Sequence, residues 1–130
     1  MTKAQTPGEL VRGLLLACMR VDLDAVIGMV TADVEYDNVP AGKVRGPGGL
    51  RAALASGILD VADEVDWVVL RQAECGDLVM NERIDRFRLG AVWIEIRVAG
   101  VFELSGGRIR LWRDYFDLES YRVQRQSVQT

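Results

Sequence analysis

The sequence predicts an α+β domain in which helices lie on one face of a long, curved antiparallel sheet that curls around them into a cup. Two observations carry that prediction. Apolar residues recur at helical spacing in the first half of the chain, and from Val65 onward the pattern changes to period two, interrupted by glycine-bearing turns. Helices segregated from a run of consecutive strands make a layered α+β architecture. A third observation points to a site. Tyr36-Asp37-Asn38, Arg83-Ile84-Asp85 and Trp112-Arg113-Asp114 each carry two polar or indole side chains at i and i+2, which places both on one face of a strand. Polar groups facing a core are costly unless they serve one another, so three such pairs imply one polar cluster at the floor of an apolar pocket.

The elements follow in order. Thr6-Pro7-Gly8-Glu9 opens the first helix, with Thr6 as N-cap, Pro7 at the first helical position and Glu9 completing a capping box. Leu10, Val11, Leu14, Leu15, Cys18 and Met19 then form its apolar stripe. Asp22 caps a short second helix reaching about Val30, and a first strand follows near Val34 to Asn38. Pro40 to Arg45 reads as a loop. Gly46-Pro47 starts a third helix running to about Leu59. Val65, Trp67 and Val69 alternate along the next strand, and Cys75-Gly76-Asp77 turns into a second long strand, Leu78 to Leu89. Leu89-Gly90-Ala91 turns into Val92 to Leu104, with Val92, Ile94, Ile96 and Val98 on one face. Ser105-Gly106-Gly107 is a hairpin turn, Arg108 to Phe116 is the last strand, and a short helix begins near Leu118. The 130 residues form a single domain, with residues 1–6 and 125–130 expected to be flexible.

Composition excludes several classes of function. A net charge of −3 with arginines interleaved among acids is not a nucleic-acid footprint. Leu15-Leu16-Ala17-Cys18 superficially matches a lipoprotein cleavage site, but Arg12 and Gly13 leave too short an apolar run before it, and no stretch approaches transmembrane length. Two cysteines in a chain of this size are expected to be reduced thiols, so a cytoplasmic protein is expected. There is no histidine. Imidazole mechanisms and histidine-based metal sites are therefore excluded, and acid–base chemistry must run on carboxylates, tyrosines, lysines or arginine-tuned groups.

Asn81, Arg83, Asp85 and Phe87 share one face of their strand, and Arg110, Trp112, Asp114 and Phe116 share one face of theirs. The forked guanidinium of Arg83 can bridge Asp85 and Asp114. Two carboxylates in an apolar pocket tend to hold one proton between them, whereas the bridging cation favours ionisation. A proton donor beside a proton acceptor is the equipment for concerted acid–base catalysis, with Tyr36 and Asn38 holding a water against the basic carboxylate. Opening a strained ring by water needs that pair of transfers. Taken alone, Arg83 and Asp85 would be a structural ion pair; with Asp114, Tyr36 and Asn38 in register, the catalytic reading prevails. Asp37 should point away from the pocket, and Asp117 is better suited to capping a helix than to catalysis.

Tyr36-Asp37-Asn38-Val39-Pro40, Glu82-Arg83-Ile84-Asp85, Gly100-Val101-Phe102 and Trp112-Arg113-Asp114-Tyr115-Phe116-Asp117 together resemble the limonene-1,2-epoxide hydrolases. The likeness runs from Glu9 to about Tyr121. It implies a cystatin-like cone with a deep apolar pocket, as in nuclear transport factor 2 and ketosteroid isomerase. It also implies one-step hydrolysis of an apolar epoxide to a vicinal diol, without cofactor or metal, usually by a homodimer. By motif, Asp114 would be the general base, Asp85 the acid that protonates the epoxide oxygen, and Arg83 the bridge. Tyr36 and Asn38 would hold the water, and Trp112, Phe87 and Phe116 would form pocket wall. The rival readings on the same fold are a SnoaL-like polyketide cyclase, a ketosteroid-isomerase-like enzyme and a non-catalytic binding module. An arginine between two aspartates does not suit an isomerase, and cyclases that rely on histidine lack it here.

Overall fold

The structure, a computed structural model, describes residues 5–128. The expected flexibility of residues 1–4 and 129–130 concerns positions outside the described residues. Helix α1 (Pro7–Met19) starts as its sequence dictates: Thr6 accepts from the Glu9 amide and Glu9 reaches back to the Thr6 amide. Asp22 likewise caps α2 (Leu23–Gly28) through the Ala25 amide. Strand β1 spans Val30–Asn38, β2 Gly42–Arg45, and helix α3 Gly46–Leu54, continued by a π-helical turn over Ala55–Leu59. The rest is β3 (Glu64–Cys75), β4 (Leu78–Leu89), β5 (Val92–Ser105), β6 (Arg108–Tyr115) and α4 (Leu118–Val128). The order in the sheet is β2-β1-β6-β5-β4-β3, antiparallel throughout except for the parallel pair β1–β6.

Four local departures from the sequence reading have physical causes. The second helix stops at Gly28 and β1 begins at Val30, because β-branched Val30 and Thr31 suit a strand better than a short helix past a glycine. The segment expected to be a loop before Arg45 contains an edge strand, β2, paired with β1 from Glu35↔Arg45 to Asn38↔Gly42. The third helix loosens after Leu54, where the Asp60 amide bonds back to the Ala55 carbonyl, around the poor helix former Gly57. A register shift between Glu103 and Leu104 leaves Arg110 unpaired in the β5–β6 ladder. That bulge turns Arg110 away from the face of Trp112 and Asp114, and its guanidinium pairs instead with Glu103 on the exposed side.

The core lies between the helices and the inward face of the sheet. Val11, Leu14, Leu15 and Cys18 of α1, Val26 of α2, and Leu50 and Leu54 of α3 cluster with Val34, Ile94, Ile96, Phe102, Ile109 and Trp112. Fully burying one such aliphatic side chain contributes roughly 1.5–3 kcal/mol. The face opposite carries charge: Arg86 pairs with Asp66 and Glu95 and stacks over Trp93 at 4.2 Å, while Arg113 pairs with Glu35 and Asp37. Asp37 thus points away from the pocket, as alternation along β1 requires. Asp117 accepts from the Glu119 and Ser120 amides at the start of α4. Both Cys18 and Cys75 are free thiols, the first buried and the second exposed. None of the described helices is long and apolar enough to cross a membrane.

Candidate active site

Register brings the three polar pairs together. On β4, Asn81, Arg83, Asp85 and Phe87 alternate inward, opposite Gly100, Val98, Ile96 and Ile94 of β5. On the other side of β5, Gly100 faces Asp114 and Phe102 faces Trp112. The parallel pairing then sets Tyr36 beside Trp112 and Asn38 beside Asp114. Residues from β1, β4 and β6 therefore meet over β5.

Gly100 is the clearance that lets them meet. A Cβ there would overlap Arg83 Nη1 and lie 2.9 Å from Asn81 Oδ1 and 3.0 Å from Asp114 Oδ1. The guanidinium passes through the space a side chain would take.

Arg83 is wholly buried and makes four hydrogen bonds. Its Nε and Nη2 donate to Oδ1 and Oδ2 of Asp85, each at 3.0 Å. Nη2 also donates to Asp114 Oδ2 at 2.9 Å, and Nη1 to Asn81 Oδ1 at 2.9 Å. The Trp112 indole donates to the remaining Asp114 oxygen at 3.0 Å. Charge-assisted bonds of this kind are the stronger class, and desolvated donors aimed at a carboxylate favour its ionised form. Burial opposes the charge on Arg83, but Asp114 and Asp85 outweigh it and hold the guanidinium protonated, with its pKa above the ordinary value. For Asp85, burial dominates: it pushes the carboxyl up to about 6 against the pull of Arg83, and Asp114 adds to the rise. Burial also raises the Tyr36 hydroxyl well above its usual range, with Asp114 adding to the rise and the nearby Asn38 side chain opposing it, so it stays neutral.

A cavity of about 200 Å3 opens above this cluster. Asn38, Asp85 and Asp114 supply its polar side. Phe87, Ile96, Val98, Phe116, Leu118 and Ala41 supply apolar wall, with Gly57 of the π-helical turn and Tyr121 of α4 at the rim. Phe87 and Phe116, the residues expected as wall, lie in this lining. Trp112 departs from it. The indole is fully buried, packs between Tyr36 at 4.7 Å and Phe102 at 5.8 Å, and does not line the cavity. Its place is behind Asp114, to which it donates, with Tyr36 of β1 and Phe102 of β5 packed against it. Tyr36 likewise stands behind Asn38 rather than in the wall.

Asn81 is the polar residue whose part sequence reasoning left out. It shares the face of Arg83, which the alternation showed, but its acceptor role depends on the orientation of the guanidinium. Gln72 could not be found by alternation at all. A register shift between Val69 and Arg71 resets the phase of β3 before it.

Fold and site together define an α+β cup whose buried arginine joins two aspartates at the floor of a mostly apolar cavity. The family model described as the limonene-1,2-epoxide hydrolase catalytic domain matches residues 5–126, and the chain belongs to that family. It is 34% identical to epoxide hydrolase EphG of Mycobacterium tuberculosis over 108 residues, 83% of this chain and 71% of that protein. Among solved structures, a limonene-epoxide-hydrolase-like epoxide hydrolase of M. tuberculosis superimposes with a TM-score of 0.76 at 30% identity, over 88% of this chain and 85% of that one. A SnoaL-like protein of Shewanella putrefaciens reaches a TM-score of 0.82 at 16% identity, over 96% and 99% of the two chains. That second likeness is one of fold alone.

Proposed function

We propose that this protein hydrolyses an apolar epoxide to a vicinal diol in one step, with Asp114 as general base and Asp85 as general acid. The observation that carries the reading is Arg83 Nη2 shared between Asp85 and Asp114 beneath the cavity. The substrate's ring oxygen sits against Asp85 and a water against Asp114, beside Asn38 and the Tyr36 hydroxyl. Asp114 takes one proton from the water as its oxygen attacks a ring carbon. The C–O bond to that carbon breaks, and the departing oxygen takes the proton of Asp85. Water has then added across the bond, Asp114 is protonated and Asp85 ionised, and exchange with solvent returns the proton. The raised pKa of Asp85 suits it to the acid role, since a carboxyl near 6 holds its proton to higher pH than an ordinary aspartate does. Two N–H donors on Asp114, from Arg83 and Trp112, fix its carboxyl beside the cavity for the base role.

The lining of Phe87, Ile96, Val98, Phe116 and Leu118 favours a hydrocarbon body, such as a cyclic terpene, over a charged substrate. Leu70, Ala99 and Tyr115 cluster on the outer face of the sheet, and Leu70 and Tyr115 are about half exposed. That patch, which Glu82 and Arg97 border, is the surface through which we propose two copies associate. Sedimentation at micromolar concentration would distinguish a dimer from a monomer.

The decisive experiment is diol formation from limonene-1,2-epoxide, cyclohexene oxide and a long-chain epoxide by wild type, Asp114→Asn and Asp85→Asn. Diol from the wild type and none above background from either folded variant is the expected result. A folded Asp114→Asn protein with most of the wild-type rate would refute the assignment.

A further inference from the structure

Arg83 has more than two partners. Its Nη1 donates to Asn81 Oδ1, Asn81 Nδ2 donates to Gln72 Oε1 at 3.2 Å, and Gln72 Nε2 donates to the Gly8 carbonyl at 3.1 Å. A guanidinium has no acceptor, so its donation fixes which end of the Asn81 amide is oxygen. That in turn fixes the Gln72 amide, and every donation in the chain runs from the arginine toward α1. Asn81 is 6% exposed, which makes an unpaired amide there costly.

Two glycines make room for the chain. At Gly8 a Cβ would lie 2.9 Å from Gln72 Nε2 and 2.8 Å from Glu74 Oε1, so the missing side chain is what lets β3 reach the first turn of α1. At Gly100 a Cβ would meet Asn81 Oδ1 and Arg83 Nη1 together. The side of the guanidinium that does not touch a carboxylate is therefore held by a built row of contacts.

We infer that Asn81 and Gln72 are positioning residues for Arg83, holding the guanidinium in the plane in which it serves Asp85 and Asp114 at once. The inference rests on the hydrolase reading above and deepens it. Without Asn81, Nη1 loses its acceptor in a dry site and the guanidinium turns to find another, at the expense of its contact with Asp85. Displacements of about 1 Å in such a constellation can cost on the order of 10²-fold in rate.

The test compares Asn81→Leu, Gln72→Met and Gln72→Glu with wild type by three readouts: the titration midpoint of the Asp85 carboxyl by carbon-detected NMR, kcat and KM for diol formation, and Tm. Positioning predicts that Asn81→Leu and Gln72→Met raise the Asp85 midpoint above its wild-type value, because the carboxylate loses part of its cation. Both should lower kcat by about tenfold or more with little change in KM. Gln72→Glu keeps an acceptor for Asn81 Nδ2 but cannot donate to the Gly8 carbonyl. It should therefore fall several-fold less than Gln72→Met and bring the Asp85 midpoint back toward wild type. If the row only ties α1 to the sheet, the two Gln72 variants lose Tm alike and leave the Asp85 midpoint and kcat where they were. That result would overturn the inference. The Gln72 pair decides the matter even if Asn81→Leu does not fold, since Gln72 is only part-buried. The NMR arm needs no turnover, so a wild type that forms no diol would defeat the hydrolase reading and leave the positioning result to stand or fall separately.

Discussion

Replacing Gly100 by alanine tests the site with a single methyl group. Gly100 is not among the glycines with positive φ, so the backbone accepts alanine and the effect is one of space. The new Cβ would overlap Arg83 Nη1 and stand 2.9 Å and 3.0 Å from Asn81 Oδ1 and Asp114 Oδ1. None of the three side chains can swing outward, because Arg83 is fully buried and Asn81 and Asp114 are 6% and 5% exposed. The guanidinium must shift or the strand must bow, and overpacking of this kind costs about 1–3 kcal/mol. For a domain of this size that corresponds to a fall in Tm of roughly 4–12 °C. A shift of about 1 Å in Arg83 should lower kcat by on the order of 10²-fold, a larger loss than the stability change alone would produce at a temperature where the variant stays folded. Urea denaturation and diol formation on the same preparation measure both. Gly100→Ala with a wild-type rate and wild-type stability would show that the guanidinium does not occupy the gap over β5, and the site geometry would have to be abandoned.

Other perturbations should follow the same logic. Trp112→Phe keeps the packing against Tyr36 and Phe102 but removes the donor to Asp114; a bond to a charged group is worth about 1.5–3 kcal/mol, so kcat should fall by roughly tenfold or more while circular dichroism is unchanged. Arg83→Lys should abolish turnover, because an ammonium cannot present parallel donors to Asp85 and a third to Asp114; measurable diol at a tenth of the wild-type rate would contradict this. If Asp85 must be protonated, kcat/KM should decline as pH rises above about 6, and a rate still climbing at pH 8 would assign the acid elsewhere. The same group binds its proton more tightly folded than unfolded, so its contribution to stability is full below pH 3.8 and is lost as pH rises to about 6. Urea midpoints should show that loss in the wild type and less of it in Asp85→Asn. Val21 holds a left-handed φ of 55° just after α1, a conformation costing a β-branched residue roughly 1–2 kcal/mol. Val21→Gly should therefore raise the urea midpoint, and a lower one would show that the exposed valine side chain contributes more than the strain removes.

What the sequence determined by itself was local. Thr6, Asp22 and Asp117 are caps because their oxygens reach amides two or three residues on, and that geometry needs nothing from the rest of the chain. Arg83 with Asp85, Trp112 with Asp114 and Tyr36 with Asn38 share faces because a strand alternates every residue. The candidate site was legible for that reason, and motif likeness extended it to a family. Tertiary structure decided how the pairs meet. Asn38 stands beside Asp114 through a parallel pairing of strands 76 residues apart in the chain (Asp37 with Arg113), which alternation within either strand cannot choose. Arg110 left its expected face, and Leu70 reset the phase before Gln72, because a single unpaired residue reverses every later side chain and is selected by packing across the ladder. Trp112 became the partner of Asp114 rather than cavity wall because the rings of Tyr36, Phe102 and Trp67 pack around it. Alternation is a property of one strand, whereas register, bulges and depth belong to the sheet and the helices it encloses.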